Sequence, residues 1–215
     1  MLSVKSFTFN PVQENTYLLY NEERECCIID PGCYFPQEEQ QLADAIRSEG
    51  LKPVLLLNTH CHFDHIFGNK FVAETWGLTP HLHGQEMPVL ERAAQAAAAW
   101  QIPFTAIYDG PVVKIREGET ISLGGEELQI LFTPGHSPGS VSFYSETSGL
   151  LIAGDVLFNR SIGRTDLPGG DYDTLIRSIH TQLLVLPDET KVYPGHGPMT
   201  TIGFEKMNNP FLTNR

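Results

Sequence analysis

The stretch Thr59-His60-Cys61-His62-Phe63-Asp64-His65 (residues 59–65) gathers three histidines and an aspartate directly after the strongly apolar run 54–57. An apolar run of that length reads as a buried strand. The motif therefore occupies a loop at a strand end, where side chains project from a rigid sheet edge. In such a loop His60 and His62, two positions apart, can turn to one metal ion, while Asp64 and His65 reach a second ion nearby. Imidazole nitrogen and carboxylate oxygen suit zinc, manganese or iron.

Three more residues stand in the same relation to strands: His136 after 131–133, Asp155 after 151–154, and His196 after 191–194. Gly135, Gly139, Gly154, Gly195 and Gly197 flank them, and glycine permits the tight turns that aim side chains into a shared site. Seven ligand-type residues at four strand ends are hard to explain as packing.

Outward from the motif, short apolar runs at 4–9, 16–20 and 26–30 predict strands, and 37–48, with Leu42, Ala45 and Ile46 on one face and Gly50 as a stop, predicts a helix. Single helices are expected over 66–76, over the alanine-rich 87–100, and over 172–184, where Leu175, Ile179 and Leu183 keep register. Strands are expected at 112–115, 120–123, 128–133, 141–144, 150–153 and 191–193, with Gly124-Gly125 as a hairpin turn. Two halves, each of strands followed by helix and joined without a linker, predict one domain over 1–215: two sheets face to face with helices outside.

The chain carries a formal charge of −12 and no Lys/Arg cluster, which argues against a phosphate-tracking surface and predicts no nucleic-acid partner. No apolar run approaches the roughly 20 residues that span a bilayer, and no charged and then apolar leader opens the chain. The expectation is a cytoplasmic protein without a membrane partner, a monomer or small homo-oligomer. Cys26, Cys27, Cys33 and Cys61 do not form a disulfide framework. His81 and His83 share a face of a short strand and have no third ligand close in sequence; His180 belongs at a helix margin. Asp30, at the end of 26–29, is a candidate partner for fixing ligand tautomers, or else a turn residue before Pro31-Gly32. Residues 85–110, with Trp100, Phe104 and Tyr108, are either a cover over the site, an oligomer contact or core packing.

The order His60-x-His62-x-Asp64-His65, His136, Asp155, His196 resembles the metallo-β-lactamase superfamily over nearly the whole chain. The resemblance implies an α/β fold, a four-layer αβ/βα sandwich with metals at one edge of its sheets. It implies His60, His62 and His136 on a first metal, Asp64, His65 and His196 on a second, and Asp155 bridging. The two divalent ions would be zinc, with iron or manganese as alternatives. A water held between them as hydroxide would be the nucleophile, with Asp64 accepting its proton.

Within the superfamily the chain is most similar to small single-domain members of the hydroxyacylglutathione hydrolase (glyoxalase II) group, as the Gly163-Arg164-Thr165-Asp166 and Pro168-Gly169-Gly170 runs indicate. That likeness implies a small-molecule acyl thioester as substrate. Larger glyoxalase II enzymes continue into a helical domain that supplies part of the glutathione site, whereas this chain ends at Arg215, and Asp166 stands where they tend to place an aromatic hydroxyl; the thiol carrier is left open. Two alternatives remain. One is a persulfide dioxygenase holding a single iron on His60, His136 and Asp155; the other is a non-catalytic, metal-stabilised binding module.

Overall fold

Three helical crossovers organise the first half of the chain, because parallel strands in one sheet cannot be joined by tight turns. The computed structural model describes residues 1–104 and 106–213; Thr105, inside the 85–110 segment, and residues 214–215 lie outside the described residues. The described chain forms two compact units, residues 1–115 with 123–126, and residues 116–122 with 127–215.

In the first unit β1 (Ser3–Phe9), β2 (Glu14–Tyr20) and β3 (Glu25–Ile29) pair antiparallel, and β4 (Lys52–Leu57), β5 (Pro80–His83) and β6 (Val113–Ile115) then add in parallel to give a six-stranded sheet in sequence order. Helix α1 (Pro36–Ser48) makes the first crossover. Pro36 pre-sets its first turn, and the Glu38 carboxylate accepts from the Asn10, Tyr34 and Phe35 amides at 2.8, 2.8 and 3.0 Å. Leu42 and Ile46 of α1 pack with Phe7, Leu18, Ile28 and Leu56 of the sheet in one apolar cluster.

The single helix expected over 66–76 is two helices, α2 (Phe63–Ile66) and α3 (Asn69–Trp76). The Gly68 amide leaves the helical ladder to donate to the Pro31 carbonyl at 2.7 Å. A Cβ at Gly68 would overlap the Cys33 sulfur, so only glycine allows that approach. Helix α4 (Met87–Ala99) covers the alanine-rich stretch as expected, and Ala93 and Ala97 pack in a second cluster with Phe63, Phe67, Leu82 and Phe104. Core packing of Phe104 is thus observed.

In the second unit the sheet runs β14-β13-β10-β9-β8-β7, built from β7 (Thr120–Leu123), β8 (Glu126–Phe132), β9 (Val141–Ser145), β10 (Leu150–Gly154), β13 (Lys191–Pro194) and β14 (Thr200–Thr201). Gly124 and Gly125, between β7 and β8, both have positive φ, 57° and 83°, as a two-residue hairpin turn demands. A small hairpin, β11 (Leu157–Phe158) with β12 (Ser161–Ile162), follows β10. The helix expected over 172–184 is α5 (Tyr172–Ser178), capped by the Asp171 carboxylate on the Thr174 amide at 2.8 Å, followed by one wider π-type turn at Ile179–Leu183. Leu175, Ile179 and Leu183 are nevertheless fully buried, so the apolar register survives the wider turn.

The chain closes on α6 (Ile202–Asn208) and α7 (Pro210–Thr213), which the sequence patterns did not predict. Buried Glu205 of α6 accepts from the Arg160 amide at 2.9 Å, the Thr200 hydroxyl at 2.5 Å and the Asn209 amide at 2.8 Å, tying α6 to the β11–β12 hairpin. Replacing Glu205 with alanine strands the buried Thr200 and Asn209 donors and the part-buried Arg160 amide, and is expected to cost about 3 kcal/mol of unfolding free energy, read by urea melts. A loss below about 0.5 kcal/mol contradicts this account.

All four cysteines are free and buried, in line with the sequence reading. Burial pushes the Cys26 thiol up to about 12 and the Cys61 thiol well above its ordinary value. Among the described residues no helix is long and apolar enough to cross a membrane.

Candidate metal centre

The backbone around residues 58–65 is held from four directions by buried groups. The Asn10 amide donates to the Asp64 carbonyl at 3.1 Å, and that of Asn58 to the His65 carbonyl at 3.2 Å. Glu86 accepts from the Cys61 amide at 2.7 Å, and Asp30 from the Thr59 amide at 2.7 Å. Such bracing fixes the loop at the end of β4, so His60 and His65, both fully buried, keep their positions. The His60 ring lies 4.8 Å from that of His62 and 4.1 Å from that of His65, centroid to centroid. Asp64 Oδ2 is 3.6 Å from His65 Nε2.

Asp30 decides which nitrogens are available. Its Oδ2 accepts from the Thr59 hydroxyl at 2.5 Å and lies 3.1 Å from His65 Nδ1, which donates to it. With its hydrogen committed to Asp30, Thr59 Oγ1 accepts from His60 Nδ1 at 3.1 Å. One buried carboxylate thereby places the Nδ1 protons of both His60 and His65, and turns each Nε2 lone pair outward for coordination. The contact with His65 Nδ1 is the one that the partner reading of Asp30 requires. Asp30 adopts φ 48°, a left-handed conformation, and its amide donates to the Leu57 carbonyl at 3.0 Å.

In the second unit the three expected residues come together around one oxygen. Asp155 Oδ2 is 3.4 Å from His136 Nε2 and 3.5 Å from His196 Nε2. His136 Nδ1 lies 2.7 Å from the Arg164 carbonyl, which only accepts, so Nδ1 carries a proton and Nε2 is the nitrogen left to face Asp155. Two imidazole nitrogens gathered on one carboxylate oxygen form a nitrogen and oxygen donor set of the kind that zinc, iron or manganese take. These residues fit a transition-metal centre.

Two glycines make this arrangement possible. Gly135, before His136, has φ 130°, and a Cβ there would overlap the Leu175 backbone; one at Gly163 would overlap the Asp155 carbonyl. Beyond Gly163, the Arg164 guanidinium holds Asp166 through two hydrogen bonds of 2.7 Å and draws its carboxyl down to about 2.

His81 donates from Nδ1 to the Thr79 carbonyl at 2.9 Å, and His83 accepts from the Gln85 amide at 3.4 Å. Neither joins a cluster of three metal-binding side chains among the described residues. The sequence reading missed Glu14, Thr59, Glu86 and the Arg164 carbonyl. Glu14 is fully buried, and desolvation pushes its carboxyl well above the usual range despite the opposing pull of His65.

The sequence model described as Metallo-beta-lactamase superfamily matches residues 9–196, running through both units. A probable metallo-hydrolase, YqgX of Bacillus subtilis, is 42% identical over 94% of this chain and 93% of its own length. Hydroxyacylglutathione hydrolase GloC of Haemophilus influenzae is 35% identical over the full length of both. Among solved structures, BLEG-1 B3 metallo-beta-lactamase matches with TM-score 0.90 and 41% identity, covering 99% of this chain and 100% of that one. TTHA1623 in a di-iron-bound form matches with TM-score 0.87 and 41% identity, covering 97% and 100%. ETHE1 from Myxococcus xanthus matches with TM-score 0.79 and 27% identity, covering 97% and 83%.

Proposed function

This chain belongs to the metallo-beta-lactamase superfamily and has its α/β fold, and from that premise we propose that it is a metal-dependent hydrolase of acyl thioesters. The observation that carries the proposal is the convergence of His136 and His196 on Asp155 Oδ2, with His60 and His65 set by Asp30 into the tautomers that bind metal through Nε2. We assign His60, His62 and His136 to one ion, Asp64, His65 and His196 to a second, and Asp155 to both, within one domain of residues 1–215.

Two divalent ions so held would supply Lewis acidity for a carbonyl and a nucleophile from water near neutral pH. The chain's own residues do the rest. Asp30 and the Arg164 carbonyl keep the rings oriented, and Asp64, beside His65, accepts the proton released by water. No serine or cysteine nucleophile is needed, in keeping with the burial of all four thiols. A thioester suits a site of this kind because its leaving thiolate, with a thiol pKa of about 8.5, departs without a strong general acid. GloC, matched end to end, carries hydroxyacylglutathione hydrolase in its name, which favours an acyl-glutathione-like substrate over other thioesters. Zinc is the proposed metal, with iron as the competitor raised by the di-iron TTHA1623 structure. A cytoplasmic monomer or small homo-oligomer completes the proposal.

The test is a hydrolysis panel of acyl thioesters, lactones, phosphodiesters and a β-lactam, run on folded protein with its metal content measured. Thioester hydrolysis with kcat/KM on the order of 10⁴ M⁻¹ s⁻¹ or above, abolished by chelation, is the expected result. Absence of thioester turnover above background in the metal-loaded protein overturns the proposal. Oxygen uptake on a thiol persulfide with one bound iron would put the dioxygenase reading in its place.

A further inference from the structure

Behind His65, on the side away from Nε2, lies a second carboxyl group that the ligand assignment does not use. Glu14 opens β2 and is fully buried. Its Oε2 accepts from the Thr16 hydroxyl at 3.0 Å, and Thr16 Oγ1 in turn accepts from the Gly32 amide at 2.8 Å. That chain holds the carboxyl in one orientation, and a side chain at Gly32 would overlap Oε2. The other oxygen, Oε1, lies 4.0 Å from His65 Nδ1 and has no hydrogen-bond donor among the described residues. The Nδ1 proton itself goes to Asp30 at 3.1 Å.

Packing does not call for a carboxyl here, because glutamine fills the same volume without charge. Burying a carboxyl with one oxygen unsatisfied is costly. A cation on His65 Nε2 reverses that balance: the ring draws positive charge toward its Nδ1 edge, which faces both Asp30 and Glu14.

The geometry points to Glu14 as a positioning residue for the metal held by His65, a carboxyl that burdens the metal-free protein and is stabilised by the loaded one. This inference rests on the ligand assignment proposed above. It predicts that metal uptake and stability are coupled through a group that touches neither metal nor substrate.

The experiment uses full-length Glu14→Gln and wild type, stripped of metal, titrated with Zn²⁺ against a chromophoric chelator, and melted with and without Zn²⁺. In the variant one of two equivalents should bind about 10- to 100-fold more weakly. Its metal-free form should melt at or above the wild-type temperature, and its Zn²⁺-induced rise in Tm should shrink. Glu14→Asp, which keeps the charge, should recover part of the affinity. Zn²⁺ affinities within about threefold of wild type for both equivalents overturn the inference, that change being well below the usual effect of losing such a partner. So does a metal-free Glu14→Gln that melts lower or fails to fold, since the carboxyl would then serve packing. If wild type binds fewer than two ions, the ligand assignment falls and this inference with it; two ions in wild type with an unchanged variant overturn this inference alone.

Discussion

Replacing Asp155 with asparagine is expected to lower kcat/KM for an acyl thioester by about a thousandfold or more, the scale of losing the charge that organises a metal-assisted reacting centre. Asparagine keeps the size of the side chain at a position that is 7% exposed, so the fold should survive. What disappears is the anionic oxygen on which His136 and His196 converge at 3.4 and 3.5 Å. On the proposed assignment that oxygen serves both ions, so metal content should fall together with turnover, and added metal should recover little activity. Steady-state kinetics with metal analysis on the same sample checks this. A loss below about tenfold, with both ions retained, would mean that Asp155 is not the shared ligand.

Replacing Asp30 with alanine should have the second largest effect, and should register in two measurements. Asp30 is 1% exposed and accepts from the Thr59 amide, the Thr59 hydroxyl and His65 Nδ1. Removing it leaves those buried donors unpaired, at an expected cost of about 3 to 5 kcal/mol in the metal-free protein, measured by urea unfolding. It also releases the tautomers of His60 and His65, for which an affinity loss of about 10- to 100-fold is expected in chelator competition. Unchanged metal affinity would reduce Asp30 to a turn residue before Pro31-Gly32.

The residues proposed as ligands stood out because their chemistry and their places coincide. His60, His136, Asp155 and His196 each follow an apolar run that ends at a strand terminus, and β4, β8, β10 and β13 are the strands observed. The helix at α1 was equally plain, with an apolar face and Gly50 beyond its end. What failed was anything set by contacts distant in sequence. The break between α2 and α3 depends on the Gly68 amide reaching Pro31, some forty residues earlier, which no periodicity reveals. The wider turn after α5 preserves the apolar register and so leaves the hydrophobic pattern intact. Strands β11, β12 and β14 are two residues long, too short to alternate detectably, and α6 and α7 are short helices of seven and four residues, with Thr201 capping the Phe204 amide of α6 at 3.2 Å.

Within the site the same division holds. Histidines and aspartates advertise themselves, whereas the groups that orient them do not. Glu86 and Glu14 carry no motif of their own, yet both are fully buried against the 58–65 loop. The partner that fixes the tautomer of His136 is the Arg164 carbonyl, and a backbone oxygen has no residue signature at all.

The most direct test of the dinuclear assignment is anomalous scattering from crystals of the metal-loaded protein. The account predicts two anomalous peaks about 3.5 to 4 Å apart, one contacted by His60, His62 and His136, the other by Asp64, His65 and His196, with the Asp155 carboxylate reaching both. A single peak on His60, His136 and Asp155, or two peaks of which neither contacts Asp155, would contradict it.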